Sequence, residues 1–313
     1  MKCPFCGSTD LSILTDTLRR GEGKVFHCRS CDVGILEKRE DEVRLGEYYG
    51  EEYWKTHGPE LGKQADYQEL FDSYVDFQSR RLDLLAPYLM PQARLLEVGC
   101  ATGQFLYNVK DKVGEVVGVD YDSGAVAFAA EKCGCNTYGN GLEAAGLEKG
   151  SFDIVCAFQT LEHVPDPIAF VKLLGTYVKP GGVIVIEVPN LHDPLLSVYE
   201  NEAYVPFYYH SEHLYYFTSK SLTHVMGEGG FSGDLHYVQD YNFMNHMHWT
   251  LLDKPQVNGC VGLGRAQLPL SDALPSAVRD DIQKWMNEVD LSYKKLLSKH
   301  KLTENITFIG KKL

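Results

Sequence analysis

The stretch Leu95-Leu96-Glu97-Val98-Gly99-Cys100-Ala101-Thr102-Gly103 carries the reading of the whole chain. Its first half is apolar and short, as in a strand buried on both faces. Its second half places two glycines around a tight turn. The residues after Gly103, up to about Val109, continue with helical spacing. A strand that turns sharply into a helix aims that helix's N-terminus at whatever lies above the strand. Moving downstream, Val116–Asp120 reads as the next strand and Ser123–Lys132 as the next helix, with Asp122 as its N-cap. Asn136–Tyr138 is a weak strand and Phe152–Phe158 a clear one. Pro167–Val178 is helical and runs into the turn Lys179-Pro180-Gly181-Gly182. Val183–Val188 follows as a buried strand and Ser219–Gly227 as a helix ended by Gly229-Gly230. This alternation predicts an α/β fold with a doubly wound, Rossmann-like parallel sheet. Residues 235–248 and 305–310 offer two further strands, and Asp280–Lys299 a helix. The rest of 250–304 carries little pattern.

Upstream, Tyr67, Leu70, Phe71, Tyr74 and Val75 share one helix face, and Arg80 to Leu89 continues as helix. Before them lies a bridge of Tyr48, Tyr49, Tyr53 and Trp54 with a break at Gly58-Pro59. The expected organisation is a small unit over residues 1–46, a bridge and helical lid over 47–93, and the α/β domain over 94–313 with an insertion near 250–304.

The first unit is defined by cysteine. Cys3-Pro4-Phe5-Cys6 and Cys28-Arg29-Ser30-Cys31 form two C-x2-C turns separated by 21 residues. Two thiolates on each turn complete a tetrahedral zinc site, and a unit of about 40 residues needs such a staple because its own core is small. Cys3, Cys6, Cys28 and Cys31 are therefore the expected Zn2+ ligands of an N-terminal zinc ribbon. Leu11–Leu14 and Lys24–Phe26 read as its strands. Gly7 and Gly34 stand where a knuckle can need an unusual backbone angle. Nine cysteines exclude a complete set of internal disulfides. Cys133 and Cys135 read as small packed residues rather than a redox pair.

Charge and composition narrow the function. The chain has 313 residues with a formal net charge of −13, which opposes general binding to a phosphate backbone. Residues 1–46 hold eight basic and eight acidic side chains, so the ribbon is neutral, with only Arg19-Arg20 and Lys38-Arg39 as adjacent basic pairs. A structural or substrate-covering ribbon fits this better than one that grips nucleic acid. No apolar run approaches the roughly 18 residues of a membrane span, and the first residues lack a signal-peptide core. The expectation is a soluble cytoplasmic protein.

The site is expected at the carboxyl ends of the strands. Glu97 before the first glycine would repel a pyrophosphate and suits a ligand carrying an ammonium group. Asp120 is placed to accept hydrogen bonds from a ribose diol. These motifs, in this order, resemble the class I S-adenosylmethionine-dependent methyltransferases over about residues 94–245. The resemblance implies that Glu97, Gly99 and Gly103 border the methionine end of S-adenosylmethionine. It puts Asp120 on the ribose, Tyr121 beside the adenine, Gly141 and Leu142 at the adenine edge, and Gln159 at the end of the fourth strand. Ser151–Val155, Leu161–Pro167 and Lys179–Gly182 match the family's later segments. Ala101 departs from it, where the family often has glycine.

Methyl transfer needs an aligned acceptor and often a base. His163 follows the fourth strand. After the fifth comes an aromatic segment containing His210-Ser211-Glu212-His213, where a carboxylate between two histidines can set a tautomer. A metal set of His210, Glu212 and His213 has no coherent ligand spacing. Asn242–Trp249, with His246 and His248, reads as a strand and is the weaker candidate. Ribbon, methyltransferase motifs and the Glu212-His213 pair together are similar to methyltransferases of nucleotide-linked deoxysugars. That implies His213 as base, with Glu212, His210 and His163 beside it, and a small-molecule, possibly nucleotide-sugar, substrate. Members of that group that methylate carbon carry a further C-terminal domain, which leaves both carbon and oxygen acceptors open here. An RNA or protein methyltransferase that grips its substrate with the ribbon is the alternative.

Overall fold

The computed structural model describes residues 1–19, 22–37 and 64–313. Arg20, the Lys38-Arg39 pair and the aromatic bridge with Tyr48, Tyr49, Tyr53, Trp54 and Gly58-Pro59 lie outside these residues.

Three short strands build the N-terminal unit: β1 (Leu11–Thr15), β2 (Val25–Cys28) and β3 (Val33–Leu36), paired antiparallel in that order. The third strand has no counterpart in the sequence reading. At the second knuckle the left-handed residue is Asp32 (φ 62°), not Gly34; at the first it is Gly7 (φ 71°). Gly34 serves a different purpose. A Cβ there would stand 2.9 Å from Cβ of Tyr216, so only glycine lets that chain approach.

Helix α1 (Tyr67–Tyr74) opens with a capping box between Asp66 and Glu69, and α2 (Ser79–Leu85) follows after a short 3-10 turn. The chain then alternates: β4 (Arg94–Val98), α3 (Gln104–Val109), β5 (Glu115–Val119), α4 (Ser123–Cys133), β6 (Asn136–Tyr138), β7 (Phe152–Phe158), α5 (Pro167–Tyr177) and β8 (Val178–Pro189). Two single-turn helices, α6 (Pro194–Ser197) and α7 (Val205–Tyr208), precede the two-residue strand β9 (Tyr215–Tyr216). Then come α8 (Ser219–Glu228), β10 (Phe231–Val238), α9 (Phe243–Leu252), α10 (Gly259–Leu263), the 25-residue α11 (Ser276–His300) and β11 (Asn305–Lys312).

The main sheet runs β10-β11-β8-β7-β4-β5-β6. From β8 to β6 the pairs are parallel, and β11 and β10 close the far edge antiparallel. The strand order reverses between β4 and β7, so a crevice opens beyond their carboxyl ends. Alternate residues serve opposite faces. Leu96, Val155 and Ile184 join the core that also holds the ribbon's Val25 and Val33, while Leu95, Ile154 and Val183 pack on the other side with Phe105. The ribbon is thus not a bead on a string. Its β3 pairs with β9, at Gly34–Tyr216 and Ile35–Tyr215.

Two expectations are corrected. The Lys179–Gly182 turn does not end a helix before a separate strand. It bulges out of β8, where Phe152 faces Val178 and Ile154 faces Val183, with Gly181 at φ 82°. The expected strand over 235–248 stops at Val238. Residues 243–252 are helical because Asn242 caps Asn245, and the buried positions 245, 246 and 249 follow helical rather than alternating spacing. Within residues 250–304 the expected helix over 280–299 is the body of α11, and Leu263, Leu291 and Lys294 stand on the wall of the central cavity.

Candidate functional site

One cavity of about 1070 Å³ fills the crevice above the sheet. Its first half is built by the turns after β4 and β5. Gly99 (φ 82°) must be glycine, because a Cβ would stand 2.2 Å from Thr160 Oγ1. Gly103 (φ 82°) forms the N-terminal end of α3. Ala101 sits at φ 45°, the strained region that glycine fits better. Asp120 holds this loop by accepting from the backbone N–H of Ala101 (2.8 Å) and of Asp122 (3.1 Å). Asp122 caps α4 and also accepts from the Tyr67 hydroxyl (2.9 Å), which anchors α1 over the site. Tyr121 is 40% exposed, and its ring lies against Gly141. Leu142 is buried in the cavity wall.

Glu97 is 4% exposed, and its Oε2 has no hydrogen-bond partner among the described residues. Burial pushes its carboxyl up to about 8, against the opposing pull of Arg81. Burial also raises Asp120. A buried, unpartnered carboxyl oxygen on the cavity wall fits the ammonium of a methionine moiety, and Asp120 on the next turn fits a ribose diol. The residues present suit S-adenosylmethionine.

Gln159 lines the same cavity at the end of β7. At φ 52° it turns its amide to Asn305 Oδ1 (3.0 Å), and its backbone N–H donates to the Glu187 carbonyl. It belongs to a buried charge network that sequence reasoning missed. Glu187, fully buried in β8, takes the guanidinium of Arg81 (2.7 Å), and Arg80 bridges Glu187 to Asp240. Burial pushes Glu187 up, but Arg81 and Arg80 outweigh it and hold the carboxyl well below its usual range. The available signal was a glutamate inside the otherwise apolar run Val183–Val188, since an unpaired charge is not buried there.

The second half of the cavity gathers the histidines. His163 ends a 3-10 turn after β7, and His210 and His213 come from the loop between α7 and β9; all three line the cavity. Glu212 pairs with His210, Nδ1 to Oε2 at 2.8 Å, rather than with His213. The His213 ring lies 3.8 Å from that of His210 and 4.7 Å from that of His163, centroid to centroid. Behind them stands Glu162, fully buried and raised by burial to about 8; the sequence reading quoted it in a motif without giving it a role. Asp193 reaches the same cavity, pushed by burial to about 7. His246 lies away from the cavity wall, bonded to Tyr293 (2.6 Å), and burial lowers it to about 3. The ribbon contributes Arg19, whose guanidinium sits 4.7 Å over the Phe207 ring at the cavity wall.

The four ribbon cysteines converge as expected. Cys3 and Cys31 sulfurs are 3.4 Å apart, and those of Cys6 and Cys28 3.6 Å. Sulfurs 2.3 Å from a tetrahedral zinc stand about 3.8 Å apart, so this cluster is compatible with a small zinc site.

Fold and site together define a methyltransferase domain, and residues 68–236, more than half of the chain, match the family model described as "Methyltransferase domain". The chain belongs to that family. Among its relatives, a ubiquinone biosynthesis O-methyltransferase of Cereibacter sphaeroides (strain ATCC 17029 / ATH 2.4.9) is 29% identical over 163 residues, covering 48% of this chain and 63% of the relative. One from Xanthomonas oryzae pv. oryzae (strain PXO99A) is 29% identical over 152 residues, 44% of this chain and 56% of the relative. The chain thus spans less than two thirds of these relatives. A solved SAM-dependent methyltransferase from Archaeoglobus fulgidus shares the fold with a TM-score of 0.51 and 20% identity, over 79% of this chain and all of that one. The ribbon, α9 to α11 and β11 lie outside the family match.

Proposed function

We propose that this chain transfers a methyl group from S-adenosylmethionine to a small-molecule acceptor, with a histidine as general base. The observation that carries this is the continuity of the cavity from Glu97 and Asp120 to His163, His210 and His213. S-adenosylmethionine supplies an electrophilic methyl on a sulfonium. The chain's own residues bind and orient both partners and take the acceptor's proton. Glu212 fixes Nδ1 of His210, so that histidine's other nitrogen is the proton acceptor. The acceptor oxygen forms its bond to the methyl as the sulfur–methyl bond breaks, and the proton passes to His210. The leaving group is the neutral thioether.

A sugar or nucleotide-linked sugar is the acceptor we favour. Asp193, Gln239, Asp240, Glu304 and Asn305 line the cavity, and polar side chains there suit a ligand rich in hydroxyls. Oxygen rather than carbon is supported by the names of the curated relatives. The ribbon packs into the body and supplies Arg19 to the cavity wall, which suits a cover for a small substrate better than a grip on a polymer. The zinc of the ribbon is structural in this reading. The test is a pair of variants. Asp120→Ala should weaken S-adenosylhomocysteine binding, whereas His210→Ala should spare binding and cut turnover about 100-fold or more. Equal loss of binding in both would sink the assigned roles.

A further inference from the structure

Behind the histidines lies an arrangement that methyl transfer alone does not require. Glu162 is completely buried, and neither of its carboxyl oxygens has a hydrogen-bond partner among the described residues. Its Oε1 lies 3.8 Å from Nε2 of His163 and 3.9 Å from Nε2 of His213. Both separations are too long for hydrogen bonds. They are close to what a shared cation produces: ligand atoms about 2.1 Å from one ion stand about 3.0–3.4 Å apart for octahedral to tetrahedral angles. The ligand atoms of Glu162, His163 and His213 all lie within 4.8 Å of one another, so inward side-chain movement closes the set on one ion.

The tautomer of His163 points the same way. Its Nδ1 meets the backbone carbonyl of Glu212 at 3.0 Å. A carbonyl only accepts, so a neutral His163 carries its proton on Nδ1 and turns the lone pair of Nε2 toward Glu162. Metal-bound histidines are held by such a second hydrogen bond. The backbone also fixes the cluster, since Leu214 N–H donates to the Glu162 carbonyl (2.8 Å) and ties the His213 loop to the Glu162 turn.

We propose that Glu162, His163 and His213 bind a divalent transition-metal ion at the edge of the acceptor half of the cavity. Two imidazoles and one carboxylate suit zinc, iron(II) or manganese(II); magnesium, which prefers oxygen ligands, suits them less. Three protein ligands leave coordination positions open toward the cavity, because both histidines line it. An acceptor hydroxyl bound there would lose its proton more readily, with His210 to receive it. Metal binding stands on the geometry alone, while this use of the metal rests on the methyl-transfer reading.

The experiment counts metal in the full chain. The purified protein is saturated with ZnCl2, freed of excess by dialysis and measured by plasma mass spectrometry. Two zinc ions per chain are expected, one on the four cysteines and one here. Glu162→Gln and His213→Ala should each hold one, with S-adenosylhomocysteine binding retained as the sign that they fold. Titration with Co2+ separates the two sites. The cysteine site gives strong thiolate charge-transfer absorption in the near ultraviolet, and the second equivalent adds only weak visible bands. A single zinc per wild-type chain, or a second zinc that survives both substitutions, would overturn the proposal. Two zincs without any methyl transfer would count against the proposed function and leave the metal site standing.

Discussion

Glu97 is the residue whose environment makes the sharpest demand. Its carboxyl is raised to about 8 in the fold, against about 4.3 in an unfolded chain. The neutral form is the one the fold tolerates. The stability it contributes is therefore complete below about pH 4 and drains away as pH rises toward 8. Without cofactor, the melting temperature should fall across that window, and Glu97→Gln should flatten the fall. Binding of an ammonium group reverses the preference, so cofactor should bind with release of a proton at pH 7. Calorimetry in buffers of different ionisation enthalpy measures that release, and Glu97→Gln should abolish it. The same variant should lose about 10- to 100-fold in affinity, the worth of a charge-assisted hydrogen bond. Glu187 has the opposite sign. Its carboxyl is lowered, so its contribution is present above the unfolded value and lost in acid. Glu187→Ala leaves two guanidiniums half-buried without their shared partner and should cost about 3–5 kcal/mol in chemical denaturation. At this scale the sequence was legible where a residue's job is local. Glu97 and Asp120 end strands, and the four cysteines sit on two tight turns. It was opaque where the job is a long-range pairing. Nothing in the spacing joins Arg80 to Asp240 or Glu162 to His213. The carboxylate between two histidines also reads the same whichever of them it chooses.

Elements with one dominant signal were read to within a residue or two. β4 and β7 are short, mostly apolar runs, and α4 opens on Asp122 and closes on Gly134 in the left-handed conformation. The misreadings have physical causes. β3 is four residues long, and its burial comes from elements far along the chain, so it has no local contrast. α9 carries apolar and histidine residues on several sides, which masks its period until the Asn242 cap is considered. The Lys179–Gly182 bulge is a turn inside a strand, and a turn signal does not say whether pairing resumes. Of these elements β4 has the least tolerance. Leu96 is fully buried at its centre, and Leu96→Ala should cost about 2–5 kcal/mol by the cavity it leaves. Equilibrium urea unfolding reads that value directly.

On the scale of the whole molecule, the ribbon and the acceptor half behave as one structure. The Leu36 N–H donates to the Leu214 carbonyl, and the Leu214 N–H to Glu162, so a backbone ladder leads from β3 to the histidine loop. The cofactor half hangs instead on β4, β5 and α1. Breaking the four-cysteine cluster should therefore be felt unevenly. With Cys28→Ser and Cys31→Ser together, hydrogen exchange should rise over residues 11–36 and 210–216 and stay low over 94–133, and S-adenosylhomocysteine should still bind. Uniform exchange across both halves would show that the ribbon merely sits beside the domain. None of this coupling is visible in composition, which marks the ribbon as neutral and separate. It arises from the two-residue strand β9, too short for any pattern to announce. The central claim is that one cavity holds the methyl donor at Glu97 and Asp120 and a small acceptor at the histidines. It is tested most directly with methyl-labelled S-adenosylmethionine and a total extract of the source cell, fractionated into small molecules, RNA and protein. Label should enter the small-molecule fraction with the wild-type chain and fail to do so with His210→Ala. Label confined to RNA or protein, or transfer undiminished in that variant, would contradict it.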